Sequence, residues 1–359
     1  MANDLKLDIF PHIFPAEYFE RMKKIAAGNP ALAATIMRWL HIPVLWNLDA
    51  RKTMMKQFKG YKQVLTLSLP AIEFLAGPEE SPALAKLAND GMAEIVARSP
   101  DMFPVFVASL PMNNVQASLD EMDRAITRLG AKGIQVFTNV NGRPLDDPEF
   151  YPIFERCVKK YDLPIWLHPV RTSKFADYPT ETKSKYEIWW LFGWPYETSA
   201  CMARMAFSGM FKKLPNMKVI THHLGAMAPY FVERIALGMD QMGLRTHDED
   251  YVSLRKNLGK RPVDLFKMFY GDTAINGSAS ALQCGLDFFG ADRVLFGTDC
   301  PFDPEGGPGF IRGTIKAMAK LDLPESVERK IYYENAFRIL HMNLALSPGG
   351  KPAAKPRKK

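Results

Sequence analysis

The sequence predicts an α/β fold, a closed (β/α)8 TIM barrel, on three observations. Eight short apolar segments of strand composition recur along the 359 residues, most of them separated by stretches of helical periodicity. Several of these segments end at a His or an Asp, and parallel barrels place their chemistry at the carboxyl ends of strands. With 47% hydrophobic and 24% charged residues, the chain can also fill a barrel of about 250 residues carrying insertions.

Residues 5–10 alternate as the first strand, and Pro11 and Pro15 then fix the backbone around His12. Residues 16–60 read as a helical insertion after that strand. Its aromatic and Met side chains recur three to four apart, the pattern of core or a pocket wall rather than a cofactor box. The second strand spans 62–68 and stops at Pro70. A long helix follows over 81–99, with Ser81 and Pro82 as its N-cap and first residue. Residues 103–110 are the third strand, 114–129 a helix ended by Gly130, and 133–138 the fourth strand. A helix over 148–160 leads to the fifth strand at 163–167, which runs into His168. A long loop at 170–216 carries Trp189, Trp190, Phe192, Trp194 and Tyr196, with a helix from Glu197 onward. The sixth strand, 217–221, ends in His222-His223, and a helix runs from Pro229 to about Met242. Residues 265–270 are the seventh strand, leading into Asp272. The eighth begins at Arg293, reaches Asp299 and is stopped by Cys300-Pro301; helices over 313–342 close the fold. The domain therefore covers 1–345.

The formal charge is +7, but Lys351, Lys355, Arg357, Lys358 and Lys359 supply five of those charges within a Pro/Gly/Lys tail over 346–359. That composition is one of disorder, and the nearly neutral body argues against nucleic acid. Cys157, Cys201, Cys284 and Cys300 form neither a CxxC pair nor a disulfide framework. No segment has the roughly 18 apolar residues of a membrane span, and the N-terminus has no signal-like apolar core, so a cytoplasmic protein is expected.

Seven histidines occur, and four of them, His12, His168, His222 and His223, follow predicted strand ends. A lone histidine there is ordinarily structural, and Asp299 alone reads equally as a helix cap or a working carboxylate. His12, His168, His223 and Asp299 on one rim are a different matter. Imidazole and carboxylate donors from separate strands suit zinc or another first-row divalent ion, and a catalytic site keeps one position open. His12, His168 and Asp299 make three ligands, which leaves His223 for acid–base work.

In this order, Asp8-Ile-Phe-Pro-His12-Ile-Phe-Pro15, Leu167-His168-Pro169, Gly193-Trp-Pro-Tyr-Glu-Thr198, Thr221-His-His-Leu-Gly225, Asp272-Thr273 and Phe296-Gly-Thr-Asp-Cys-Pro-Phe302 carry a resemblance. Over residues 5–342 the chain resembles the amidohydrolase-2 branch of the amidohydrolase superfamily, the group of aminocarboxymuconate-semialdehyde and γ-resorcylate decarboxylases. The resemblance implies metal ligation by His12, His168 and Asp299, with Zn expected and Mn an alternative. It also implies catalytic roles for His223 and Asp299, and a homodimer in which Arg234 meets the substrate carboxylate of the neighbouring subunit. Trp189, Trp194 and Tyr196 would line a flat apolar pocket. The implied activity is a non-oxidative decarboxylase (carboxy-lyase) acting on an aromatic or unsaturated ring-cleavage carboxylate. The alternatives are a hydrolase of an amide, lactone or C–C bond, a hydratase, and a binding protein without metal.

One position departs from the pattern. Phe10 stands where such relatives carry a His or Glu ligand, and Phe cannot coordinate. The metal is then held by three protein ligands plus water, or held weakly, or lost. Asp8 lies on the same face of the strand, two residues deeper. Ala226 replaces the glutamate that follows the strand-six histidine in resorcylate-type members.

Overall fold

The computed structural model describes residues 4–343; the basic tail lies outside the described residues. Its eight barrel strands are labelled here in chain order. β1 comprises Lys6–Asp8 and its continuation His12–Ile13, and β2 comprises Tyr61–Gln63 and Thr66–Leu67. β3 is Ala108–Ser109, β4 Ile134–Phe137, β5 Ile165–His168, β6 Val219–Thr221, β7 Tyr270–Asp272 and β8 Val294–Leu295.

Each strand pairs with the next in parallel. β1 runs along β2 with Asp8 opposite Gln63 and His12 opposite Thr66. Leu65 bridges to Phe106, joining β2 to the six-stranded sheet of β3 through β8. The ring closes where Ile9 N–H donates to Phe296 O at 2.9 Å and Asp299 N–H donates to Phe10 O at 3.2 Å. The strand ends that carry His12, His168, His222 and Asp299 therefore converge at one rim, as a closed barrel requires.

The interior is packed rather than hollow. Leu7, Ile9, Val64, Val107, Trp166, Ile220 and Leu295 form its core together with Tyr333 and Phe337 of the closing helices. Trp166 is fully buried and satisfies its indole by donating to Ile9 O at 2.8 Å across the barrel. The residue just before β4 is a glycine because a Cβ on Gly133 would lie 2.4 Å from Pro164 O and 2.5 Å from the Trp166 ring. A second, larger cluster packs the outer helices onto the strands.

The insertion after β1 consists of helices Ala16–Ala26, Pro30–Leu40, Pro43–Trp46 and Leu48–Met55. Its aromatic side chains are core: Phe14, on the loop just past His12, packs on Phe19 at 5.4 Å and on Trp39 at 5.1 Å. The long segment after β5 holds helices Ile188–Leu191, Gly193–Phe207 and Met210–Lys213. No helix among the described residues is long and apolar enough to cross a membrane.

Three local expectations are corrected. The seventh strand lies later than 265–270: Pro262–Phe266 is a helix, and the strand is Tyr270–Asp272. Pro262 opens that helix from its first turn, where the missing N–H costs nothing. Ser81 does not cap its helix; it lies inside Ser81–Arg98 and donates its hydroxyl to Asn113 Oδ1 at 2.7 Å. The helix after β6 is shorter than 229–242, spanning Val232–Met239.

Candidate active site

Each rim histidine is held by its own neighbours. His12 N–H donates to Cys300 O at 2.7 Å, and its carbonyl accepts from Arg51 Nη1 at 2.7 Å. Its Nδ1 lies 3.5 Å from Thr66 Oγ1. His168, at the end of β5, has Nδ1 2.7 Å from Pro169 O, so that nitrogen carries the proton and Nε2 keeps its lone pair. His222 follows β6, with Nδ1 2.5 Å from Asp272 Oδ2 at the end of β7. In all three the imidazole is anchored through Nδ1, the arrangement that orients metal-ligating histidines.

The free nitrogens converge. His12, His168 and His222 are buried, and one ligand atom from each lies within 4.8 Å of the others. His222, His223 and Asp299 form a second such group. Asp299 Oδ1 lies 3.2 Å from His12 Nε2 and 3.3 Å from His222 Nε2. Neither contact is aligned as a hydrogen bond, and both Nε2 atoms are buried without a hydrogen-bond partner. Buried polar atoms ordinarily have partners, so two orphaned imidazole nitrogens facing a carboxylate fit a divalent cation.

His223 differs from its neighbour. Its backbone is left-handed at φ 58°, which takes it off the strand line, and its side chain is 21% exposed. Nε2 lies 3.7 Å from Asp299 Oδ2. Asp299 is itself left-handed, at φ 62°.

The electrostatics follow from crowding. Burial pushes the His168 imidazole well below its ordinary value, and His222, His12 and His223 add to this. Burial likewise lowers His12 and His223, opposed in each by Asp299. Burial also opposes charge on His222, yet Asp272 and then Asp299 raise it to about 9. A bound cation competes with that proton for Nε2. Burial alone would raise the Asp299 carboxyl, but the His12, His222 and His223 rings around it hold it well below the carboxylate range.

The remaining sequence candidates divide. The Trp194 ring stands 5.7 Å from His168, and Trp189 lies 5.8 Å from Trp194. Tyr196 is 57% exposed. Arg234 is exposed on its helix and makes no ion pair within the described residues. Asp8 is unavailable as a ligand: Tyr61 Oη and Thr298 Oγ1 each donate to its carboxylate at 2.5 Å, and the N–H groups of Phe10 and Thr298 add two more bonds. Burial pushes it up to about 6.

Sequence reasoning gave no role to His222 or Asp272. The signal was present: consecutive residues leaving a strand point to opposite faces, so one of His222-His223 had to face inward.

The amidohydrolase family model matches residues 40–342, a span that starts after His12. A 2-amino-3-carboxymuconate-6-semialdehyde decarboxylase of Dictyostelium discoideum is 30% identical over 300 residues, 83% of this chain and 77% of that one. The 5-carboxyvanillate decarboxylase of Sphingomonas paucimobilis superposes with a TM-score of 0.80 at 21% identity, over 95% of this chain and 100% of that one. A dihydroxybenzoic acid decarboxylase of Polaromonas, solved with manganese and 2-nitroresorcinol, has a TM-score of 0.72 at 25% identity, over 94% and 97% of the two chains.

Proposed function

The chain belongs to the amidohydrolase family, and from that membership we infer a metal-dependent, non-oxidative decarboxylase acting on an aromatic or unsaturated ring-cleavage carboxylic acid. The observation that carries the reading is the pair of buried, unpartnered Nε2 atoms of His12 and His222 facing Asp299 and His168 at the barrel rim. The three relatives described above are all decarboxylases, which supports the reaction class.

His12, His168 and Asp299 would hold the ion, Zn by its suitability for imidazole and carboxylate donors, or Mn as in the Polaromonas neighbour. When bound, the ion supplies Lewis-acid stabilisation of negative charge at the substrate carboxylate and adjacent oxygen, worth several kcal/mol. The protein's own residues do the rest. Asp299, ionised at rest, accepts a proton from the substrate hydroxyl and returns one to the carbon as the C–C bond to the carboxylate breaks. His223, neutral at pH 7 and facing Asp299, positions the substrate oxygen. Trp194, beside His168, would line the pocket for a planar substrate with Trp189 packed edge-on against it, and Tyr196 would contribute from the solvent side. Arg234, exposed and without an ion pair among the described residues, would meet a carboxylate in the second subunit of a homodimer. The four free cysteines suit a reducing cytoplasmic setting.

The test is turnover by metal-loaded protein of a panel of hydroxybenzoates and muconate-type acids, read as released carbon dioxide. The expected result is release that depends on added Zn or Mn. Cleavage of amides or lactones in place of carbon dioxide release would assign a hydrolase instead.

A further inference from the structure

We propose that His222 is a metal ligand in its own right, oriented by Asp272 and seated on the Phe10 ring, while His223, next in the chain, is left to the substrate. The proposal rests on the metal-dependent reading above and names a donor beyond His12, His168 and Asp299.

Both ring nitrogens of His222 point to this role. Nδ1 is taken by Asp272 Oδ2, and Asp272 is itself fixed because its Oδ1 accepts from Leu224 N–H at 3.2 Å and Ala274 N–H at 3.0 Å. Nε2 is buried and has no hydrogen-bond partner. An imidazole held by a carboxylate on one nitrogen and left open on the other is the arrangement that orients a ligand and raises its basicity. The three rings make a nearly regular triangle: His12 to His168 is 5.1 Å, His168 to His222 5.0 Å and His12 to His222 5.6 Å.

Phe10 explains why this donor comes from β6. Its ring stacks on His222 at 3.9 Å and 22°, and lies 5.7 Å from the His12 ring and 6.0 Å from His168. Those last two spacings are close to the ones the histidines keep among themselves. Position 10 thus borders the cluster but carries a hydrocarbon, which supports the flat face of the imidazole that does the binding. An imidazole placed at position 10 would stand where it could take over from His222. The competing arrangement is an imidazolium bridging Asp272 and Asp299, with no part in metal binding.

The experiment uses the full chain, stripped of metal and titrated with Mn(II) by calorimetry, with the visible spectrum of the Co(II) form as an independent readout of the ligand set. One tight equivalent is expected for the unmodified protein. His222→Ala should weaken binding by about 100-fold or more and change the Co(II) band, and Asp272→Asn by about 10–100-fold. His223→Ala should change neither. Adding Phe10→His to His222→Ala should recover most of the affinity. Circular dichroism separates ligand loss from misfolding, and Asp272→Asn keeps the imidazole in place should His222→Ala fail to fold. His222→Ala or Asp272→Asn binding as tightly as the unmodified protein, with an unchanged Co(II) band, would overturn the proposal alone. No binding by the unmodified protein would overturn the metal-dependent reading and this inference with it. Loss with His168→Ala but not with His222→Ala would leave the metal site standing without His222.

Discussion

His223 Nε2 lies 3.7 Å from Asp299 Oδ2, beyond hydrogen-bond length but within Coulombic contact. The two residues are neighbours across the rim because both leave their strands in left-handed backbone, at φ 58° and 62°. Such a conformation is uncommon for residues other than glycine and concentrates at functional sites. Under the proposed reaction a substrate oxygen would meet both groups from one side, about 2.8 Å from each and off the line that joins them.

His223→Asn should therefore lower kcat by about 10²-fold, the cost of a misplaced substrate oxygen, while metal stoichiometry stays unchanged. Steady-state kinetics beside metal analysis checks this. Full activity in the variant would remove the role given to His223.

Trp194→Ala should raise KM by about tenfold or more with a smaller effect on kcat, because an aromatic face beside His168 is removed and its buried area is worth about 2 kcal/mol. A fall in kcat at unchanged KM would assign the ring to positioning His168 instead.

Glu73 gives a pH dependence of stability. It is 5% exposed, one carboxylate oxygen has no partner, and burial raises it from 4.5 to about 7. A carboxyl raised in the folded state contributes fully below its unfolded value and loses that contribution as pH rises through the folded one. The window is thus pH 4.5 to 7, with up to about 3 kcal/mol at stake. Glu73→Gln should match the parent near pH 4 and exceed it in chemical denaturation at pH 8. Parallel stability curves across that range would contradict the assignment.

Gly297→Ala should lower stability by about 1–3 kcal/mol through overpacking. Its Cβ would fall 2.9 Å from Asp272 Cβ and 3.4 Å from Phe10 Cβ, so the carboxylate that orients His222 has to move. A thermal melt of the variant reads the effect; an unchanged midpoint would mean the β7–β8 rim yields more easily than its packing suggests.

Much of this architecture was legible in the chain because apolar runs and their spacing report burial, which a barrel imposes on every strand. The seventh strand was displaced because Leu265-Phe-Lys-Met-Phe-Tyr270 is apolar enough for either element, and the decisive Pro262 lies just outside it. His12, His168, His223 and Asp299 were legible as residues after strand ends. His222 was not, since a pair of adjacent histidines does not reveal which one turns inward until Asp272 on the next strand is seen to hold it. The fate of Asp8 depended on Tyr61 and Thr298, 53 and 290 residues away, contacts no local pattern encodes.

The most direct measurement is turnover in deuterium oxide of a hydroxybenzoate substrate by metal-loaded protein, followed by NMR of the product. Decarboxylation predicts loss of the carboxylate as carbon dioxide and one deuterium at the carbon that bore it. A product that keeps its carboxylate and gains solvent oxygen at another cleaved bond would contradict the account.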